Sequence, residues 1–192
     1  MIDKIVRTFL CIPISNEIRS KKSMLYSTFE DSKSTINWVK NSNLHLSIKF
    51  IGQTPETSVS EIIDNISSIT SNIEPFKIDI KGTGCFPINI RPKTLWLGVS
   101  GELKPLEDLV LKVENKLFKI GFSKEEKQFI PHITIARIPY PQKDTPDINT
   151  FLKSSYDVIG LQVNQIQFFS SELLSNGAVY SLLKTFPLGE HI

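Results

Sequence analysis

Leu44-His45-Leu46-Ser47-Ile48-Lys49-Phe50-Ile51 alternates between apolar and polar residues, and that period predicts a β-strand with one buried face. His45, Ser47 and Lys49 fall on one side; Leu46, Ile48 and Phe50 fall on the other, so Phe50 reads as core. The pattern returns at His132-Ile133-Thr134-Ile135-Ala136-Arg137-Ile138: histidine, apolar residue, hydroxyl, apolar residue. Residues two apart on a strand share a face, so each segment turns one imidazole and one hydroxyl the same way. Strict alternation puts Arg137 with Ile133 and Ile135, away from His132. Either a bulge or the strand end turns it back toward His132, or it pairs at the surface.

Working outward, the chain reads as one series of elements met twice. Val6 to Ile14 is rich in β-branched and aromatic residues and predicts a strand. Asn16 could cap a noisy helical segment running to about Ser32. After the first histidine strand, Ser58 and Glu61 have capping-box spacing ahead of a stripe of Ile62, Ile63, Ile66 and Ile69, with Pro75 as the stop. Phe76, Ile78 and Ile80 alternate as a strand, and the glycines and prolines between Gly82 and Lys93 predict a loop. Thr94 to Val99 predicts a strand in which Trp96 reads as core. Leu103, Leu106, Val110, Val113 and Leu117 mark a helix that Gly121 ends in a left-handed cap. After the second histidine strand, prolines make the connection irregular, and a short helix follows around Asp147 to Ser154. Two strands, Val158–Leu174 and Ala178–Phe186, close the chain around a Ser175-Asn176-Gly177 turn. The order strand, helix, histidine strand, helix, strand thus occurs twice, in pseudo-repeats of about 1–93 and 94–192 of a single domain. A pseudo-two-fold arrangement would bring the two histidine strands together at one cleft.

Composition bounds the possibilities. A net charge of +2 over 192 residues is too mild for wrapping a long nucleic acid and suits a small substrate or an RNA end. Cys11 and Cys85 are too few and too far apart for a disulfide framework or a zinc site, and read as small buried residues in a reducing compartment. No apolar run approaches a membrane span, and Asp3, Lys4 and Arg7 interrupt the first apolar stretch, so a cytoplasmic protein without a leader is expected.

The paired motif points to chemistry at phosphorus. In-line attack needs a base on the entering side and an acid on the leaving side. Histidine serves as either near neutral pH, because its ordinary pKa is about 6.5. Hydroxyls can hold the non-bridging oxygens that carry charge through the transition state. One such histidine alone would read as a half-buried residue beside a hydroxyl. Of three histidines, however, two carry the motif at matched places, and the third, His191, reads as solvated tail. Neither has a second histidine or a carboxylate at metal-ligand spacing, so no metal and no cofactor are expected. The sequence leaves open which histidine is base and which is acid.

The chain also resembles the two-histidine phosphoesterase superfamily, and within it the RNA 2′,3′-cyclic phosphodiesterases, long called 2′-5′ RNA ligases. The resemblance rests on Arg7-Thr8-Phe9-Leu10, on Trp38 through Gly52 around the first motif, and on Phe86-Pro87. It continues through Arg91-Pro92-Lys93-Thr94-Leu95-Trp96-Leu97-Gly98, Gly121-Phe122 and Phe129 through Arg137. It implies a bilobal α+β fold: two pseudo-symmetric lobes, each an antiparallel sheet with outer helices, and an active-site cleft between them. It implies metal-independent opening of a terminal 2′,3′-cyclic phosphate on RNA to a 2′-phosphate, with 2′-5′ ligation in some members. By motif position it implies His45 and His132 as catalytic residues and Ser47, Thr134 and Arg137 as phosphate-binding residues. Ser47 departs from the commoner threonine but keeps the hydroxyl. The expected partner is an RNA end, with no membrane and no obligatory protein partner, and the expected state is a monomer. The competing reading is a non-catalytic module that binds 2′-phosphate or cyclic-phosphate ends. Trp38 reads as packing more readily than as a base-stacking ring, and Arg91 and Lys93 as solvated side chains with a possible role in steering RNA.

Overall fold

In a computed structural model, residues 4–29, 33–175 and 177–189 are described; His191 and Asn176 lie outside them. The chain runs β1 (Ile5–Pro13), α1 (Asn16–Tyr26), β2 (Asn37–Trp38), β3 (His45–Pro55), α2 (Val59–Thr70), β4 (Phe76–Phe86), β5 (Thr94–Ser100), α3 (Lys104–Lys119), β6 (His132–Arg137), α4 (Asn149–Lys153), β7 (Ile159–Val163), β8 (Gln165–Leu174) and β9 (Gly177–Pro187).

These strands form two antiparallel sheets, one ordered β3-β1-β8-β9 and the other β2-β6-β5-β4-β7. Without the two-residue β2, the second order reads β6-β5-β4-β7 and mirrors the first. In each sheet a histidine strand pairs with the strand that opens its own half, and two further strands follow. The match is not one sheet per half, because β4 pairs with β5 and β8 pairs with β1. Each lobe therefore holds strands from both halves of the chain. Leu10, Ile12 and Leu46 of one sheet and Leu95, Leu97, Ile133 and Ile135 of the other join the inner faces of α2 and α3 in a continuous apolar core. Both helices were legible from their stripes. Ile62, Ile66 and Ile69 of α2 and Leu106, Val110, Val113 and Leu117 of α3 are buried.

Several local expectations are corrected. Ser15, not Asn16, caps α1; its extended backbone lets its hydroxyl accept from Ile18 N–H at 3.3 Å. The helix itself ends at Tyr26, followed by a short 3₁₀ turn over Ser27–Phe29. Ser58 forms no capping bond, because it lies in a 3₁₀ turn with helical angles (φ −83°, ψ −8°), and a capping side chain needs an extended backbone to reach over the first turn. α2 stops at Thr70, before Pro75. Gly121 does end α3 as expected: it sits at φ +96°, with Phe122 N–H bonded to Leu117 C=O and Gly121 N–H to Phe118 C=O.

Gly82 to Phe86 is strand rather than loop. Gly82, at φ +75°, absorbs a register slip between Ile80 and Thr83, and β4 then runs on to Phe86. Gly84 is there for close approach, since a Cβ on it would sit 2.1 Å from the Trp96 ring. The predicted strand Val158–Leu174 is two strands in different sheets. The chain crosses between lobes at Asn164, whose carbonyl is bonded by Leu188 N–H at 2.8 Å. The buried residues mark the crossing: Ile159, Leu161 and Val163 keep one phase, and Ile166 and Phe168 take the other.

Candidate active site between the two histidine strands

β3 and β6 pack against each other where the lobes meet, and each begins at its histidine. The two strands carry the same irregularity. Lys49 pairs with Leu10 and Ser47 with Cys11, leaving Ile48 unmatched. Ala136 pairs with Leu95 and Thr134 with Trp96, leaving Ile135 unmatched. One extra residue reverses the alternation beyond it. Lys49 and Ala136 therefore turn inward and are buried, while Phe50 and Arg137 turn outward and are exposed. The bulge brings Arg137 onto the face of His132 and Thr134. The same bulge overturns the core reading of Phe50, which is 53% exposed on the face of His45 and Ser47 with the Arg7 guanidinium over its ring at 5.6 Å.

Both imidazoles are held alike. His45 Nδ1 lies 2.7 Å from the carbonyl of Asn43, and His132 Nδ1 lies 2.7 Å from that of Ile130. A carbonyl only accepts, so Nδ1 carries the proton and donates in each ring. Nε2 is left as the working atom: a lone pair when the ring is neutral, an N–H when it is charged.

Aromatic rings back each imidazole. Phe9 stacks on His45 at 4.9 Å and Tyr180 meets it edge-on at 5.7 Å. Phe86 meets His132 edge-on at 4.9 Å and Trp96 tilts against it at 6.2 Å. Trp96 is thus corrected from core to cleft floor; it is half-buried and faces Thr134 across the β5–β6 ladder. Sequence reasoning missed Phe9, Phe86 and Tyr180 as neighbours of the motif. A signal existed for Phe9, which is out of phase with the core residues Leu10 and Ile12 on a strand buried on both faces.

Electrostatics tie the groups together. The His45 pKa is lowered first by burial, against the raising effect of its Asn43 bond, and further by the charges of Arg137, Arg19 and His132. That of His132 is lowered by burial and by Arg137, against the raising effect of its Ile130 bond. Arg137 thus acts on both imidazoles, and it acts on Tyr180 as well. Ser47 from one sheet and His132 from the other line a single cavity of about 300 Å³. Ser47 and His132 line one cavity, Arg137 lines the next, and the charges of Arg137 and His132 both reach His45, an arrangement able to move two protons around one anion.

The same cavity is bordered by a mostly buried ion pair with no counterpart in the sequence reading. Lys49 Nζ lies 2.8 Å from Glu114 Oε1, the two side chains being only 5% and 14% exposed. It also donates to Ser123 C=O at 2.8 Å, and Glu114 accepts from Glu125 N–H at 3.2 Å. The pair joins β3 to α3 and to the loop leading to His132. Arg91, read as solvated, lies over the Tyr140 ring at 4.8 Å. Cys11 and Cys85 are free thiols whose pKa burial raises, that of Cys11 to about 12.

Comparison with known proteins gives the family and the fold. The family model described as LigT like phosphoesterase matches twice in tandem, at residues 12–96 and 97–180. An RNA 2′,3′-cyclic phosphodiesterase of Aquifex aeolicus is 34% identical over 190 residues, covering 97% of this chain and 99% of its own. One from Aeropyrum pernix is 35% identical over 147 residues, covering 76% and 82%. Among solved structures, a Thermus thermophilus protein superposes with a TM-score of 0.81 at 23% identity, over 96% of this chain and all (100%) of its own. The fold is shared too with E. coli LigT complexed with 3′-AMP, at a TM-score of 0.74 and 19% identity over 96% and 99% of the two chains. With two tandem matches, an extended relative above 30% identity and the bulged histidine strands facing one cleft, the chain belongs to the LigT-like, two-histidine phosphoesterases.

Proposed function

We propose that this protein is an RNA 2′,3′-cyclic phosphodiesterase that opens a terminal 2′,3′-cyclic phosphate to a 2′-phosphate without a metal. The observation that carries the reading is the matched pair of histidines, each with Nδ1 tied to its own backbone and Nε2 left for substrate. One neutral Nε2 takes a proton from water as the water oxygen bonds to phosphorus. The other ring, charged, gives its Nε2 proton to the 3′ oxygen as the P–O3′ bond breaks. The products are a 2′-phosphate and a free 3′-hydroxyl, and the pair of rings has exchanged protonation states. Ser47, Thr134 and Arg137 hold the non-bridging oxygens, where hydrogen bonds and charge offset what develops in the transition state. A 5′-hydroxyl in place of water gives 2′-5′ ligation by the same steps. The strong coverage by similarly sized relatives named RNA 2′,3′-cyclic phosphodiesterase supports the same substrate.

Among the described residues no helix is long and apolar enough to cross a membrane. We read the protein as a cytoplasmic monomer with no obligatory protein partner, in keeping with its free thiols. The direct test is incubation with an oligonucleotide ending in a 2′,3′-cyclic phosphate, followed by mass spectrometry. The expected product is heavier by one water and carries a 2′-phosphate, with the rate unchanged by EDTA. Tight binding with no gain of mass would mean a module that only holds RNA ends.

The pH profile offers a second check. One ring must be neutral and the other charged, and both pKa values lie below the ordinary value of about 6.5. The bell in kcat/KM, which reports the free enzyme, is therefore expected to peak on the acid side of that value. Removing the positive charge of Arg137 raises both pKa values. Arg137→Gln should move the whole bell to higher pH while lowering kcat by about 10²-fold through loss of oxyanion stabilisation. A profile that falls in height without moving would place the guanidinium away from the rings.

A further inference from the structure

A second cavity, of about 750 Å³, adjoins the cleft at its Arg137 end. The segment of residues 36–40, with Trp38 and Lys40, makes one wall. The tip of the β8–β9 hairpin, with Leu174 and Tyr180, makes the other. Both walls are fastened. Val39 N–H bonds to Ile135 C=O at 2.9 Å, Lys22 Nζ donates to Val39 C=O at 2.7 Å, and Asn43 Nδ2 donates to Ala178 C=O at 2.8 Å. Tyr26 and Phe29 hold the Trp38 ring from behind, at 5.1 and 5.9 Å, so Trp38 packs and still borders the cavity.

The two ends of the cleft differ in charge. Among the described residues this cavity is lined by Lys40 and Arg137 and by no carboxylate. The cavity at the other end has Glu114 and Glu125 beside Lys127 and Lys49, and Lys49 is already neutralised by Glu114. An RNA ending in a cyclic phosphate carries its next negative charge one nucleotide upstream. That charge is attracted to the end where Lys40 and Arg137 stand. The volume falls in the range of small-ligand pockets. A fixed aromatic ring, an apolar leucine and two cations are what a sequence-tolerant single-strand site presents.

We propose that this cavity is a subsite for the nucleotide immediately 5′ of the cyclic-phosphate terminus, with Lys40 facing its phosphodiester and Trp38 and Leu174 facing its base and sugar. The inference rests on the hydrolase reading above and deepens it. The subsite makes the protein prefer RNA ends over free nucleoside cyclic phosphates.

The test compares KM for a nucleoside 2′,3′-cyclic monophosphate with KM for a dinucleotide ending in a 2′,3′-cyclic phosphate. It uses the parent, Lys40→Glu and Leu174→Asp; both side chains are exposed, so each variant is expected to fold. Each should raise the dinucleotide-to-mononucleotide KM ratio by about tenfold, and Lys40→Glu should flatten the salt dependence of the dinucleotide KM. A ratio equal to the parent's in both variants overturns the subsite while leaving the hydrolase reading standing. A parent that turns over neither substrate overturns the hydrolase reading and the subsite with it.

Discussion

His45→Ala and His132→Ala are each expected to lower kcat on a cyclic-phosphate dinucleotide by about 10² to 10⁴, with much smaller changes in KM. Each ring supplies one of two proton transfers, and the cleft has no other imidazole within the described residues to replace it. The two act as a unit, so the double variant should be little slower than the worse single variant. Alanine at either site also removes a ring packed on Phe9 or Phe86. His45→Asn and His132→Asn separate packing from chemistry. A side-chain amide can donate to the Asn43 or Ile130 carbonyl as Nδ1 does, but it has no Nε2. Asparagine variants as slow as the alanine variants, with unchanged melting, would place the activity on Nε2. Near-parental turnover in any of the four would end the two-histidine mechanism for this protein.

Glu114→Ala is expected to lower stability by about 3–5 kcal/mol, because it leaves the Lys49 ammonium buried without its counter-charge. In a chain of this size that corresponds to a melting temperature lower by roughly 10 °C. Paired replacement with apolar residues, Lys49→Met with Glu114→Leu, should recover most of the loss, since neither charge then stays buried alone. The paired variant still lacks the bonds to Ser123 and Glu125. Its loop before His132 should therefore be looser, and kcat should stay below the parent's after stability has returned. A Glu114→Ala protein that melts with the parent would mean that Lys49 reaches solvent and that the strut carries no load.

The helices, the strands around His45 and His132, the Gly121 cap and the motif itself were legible because each is a local pattern. A stripe of isoleucines has the period of a helix whatever packs on it, and a histidine two residues from a hydroxyl shares its face on any regular strand. The sequence by itself therefore determined which chemical groups this protein has and that they come in two matched sets.

Only the tertiary structure decided how those groups meet. The bulges at Ile48 and Ile135 are defined against partner strands β1 and β5, so alternation within one strand misplaced Phe50 and left Arg137 with two possible positions. The Gly82–Phe86 strand exists because it pairs with β5, Gly84 leaving the space that the Trp96 ring fills. The break at Asn164 exists because β7 and β8 find partners in different sheets. Lys49 and Glu114 lie 65 residues apart and pair only once the lobes close. Register, strand exchange and buried charge pairing depend on residues distant along the chain. A short window of sequence carries the period of an element but not the identity of the neighbour that sets its register.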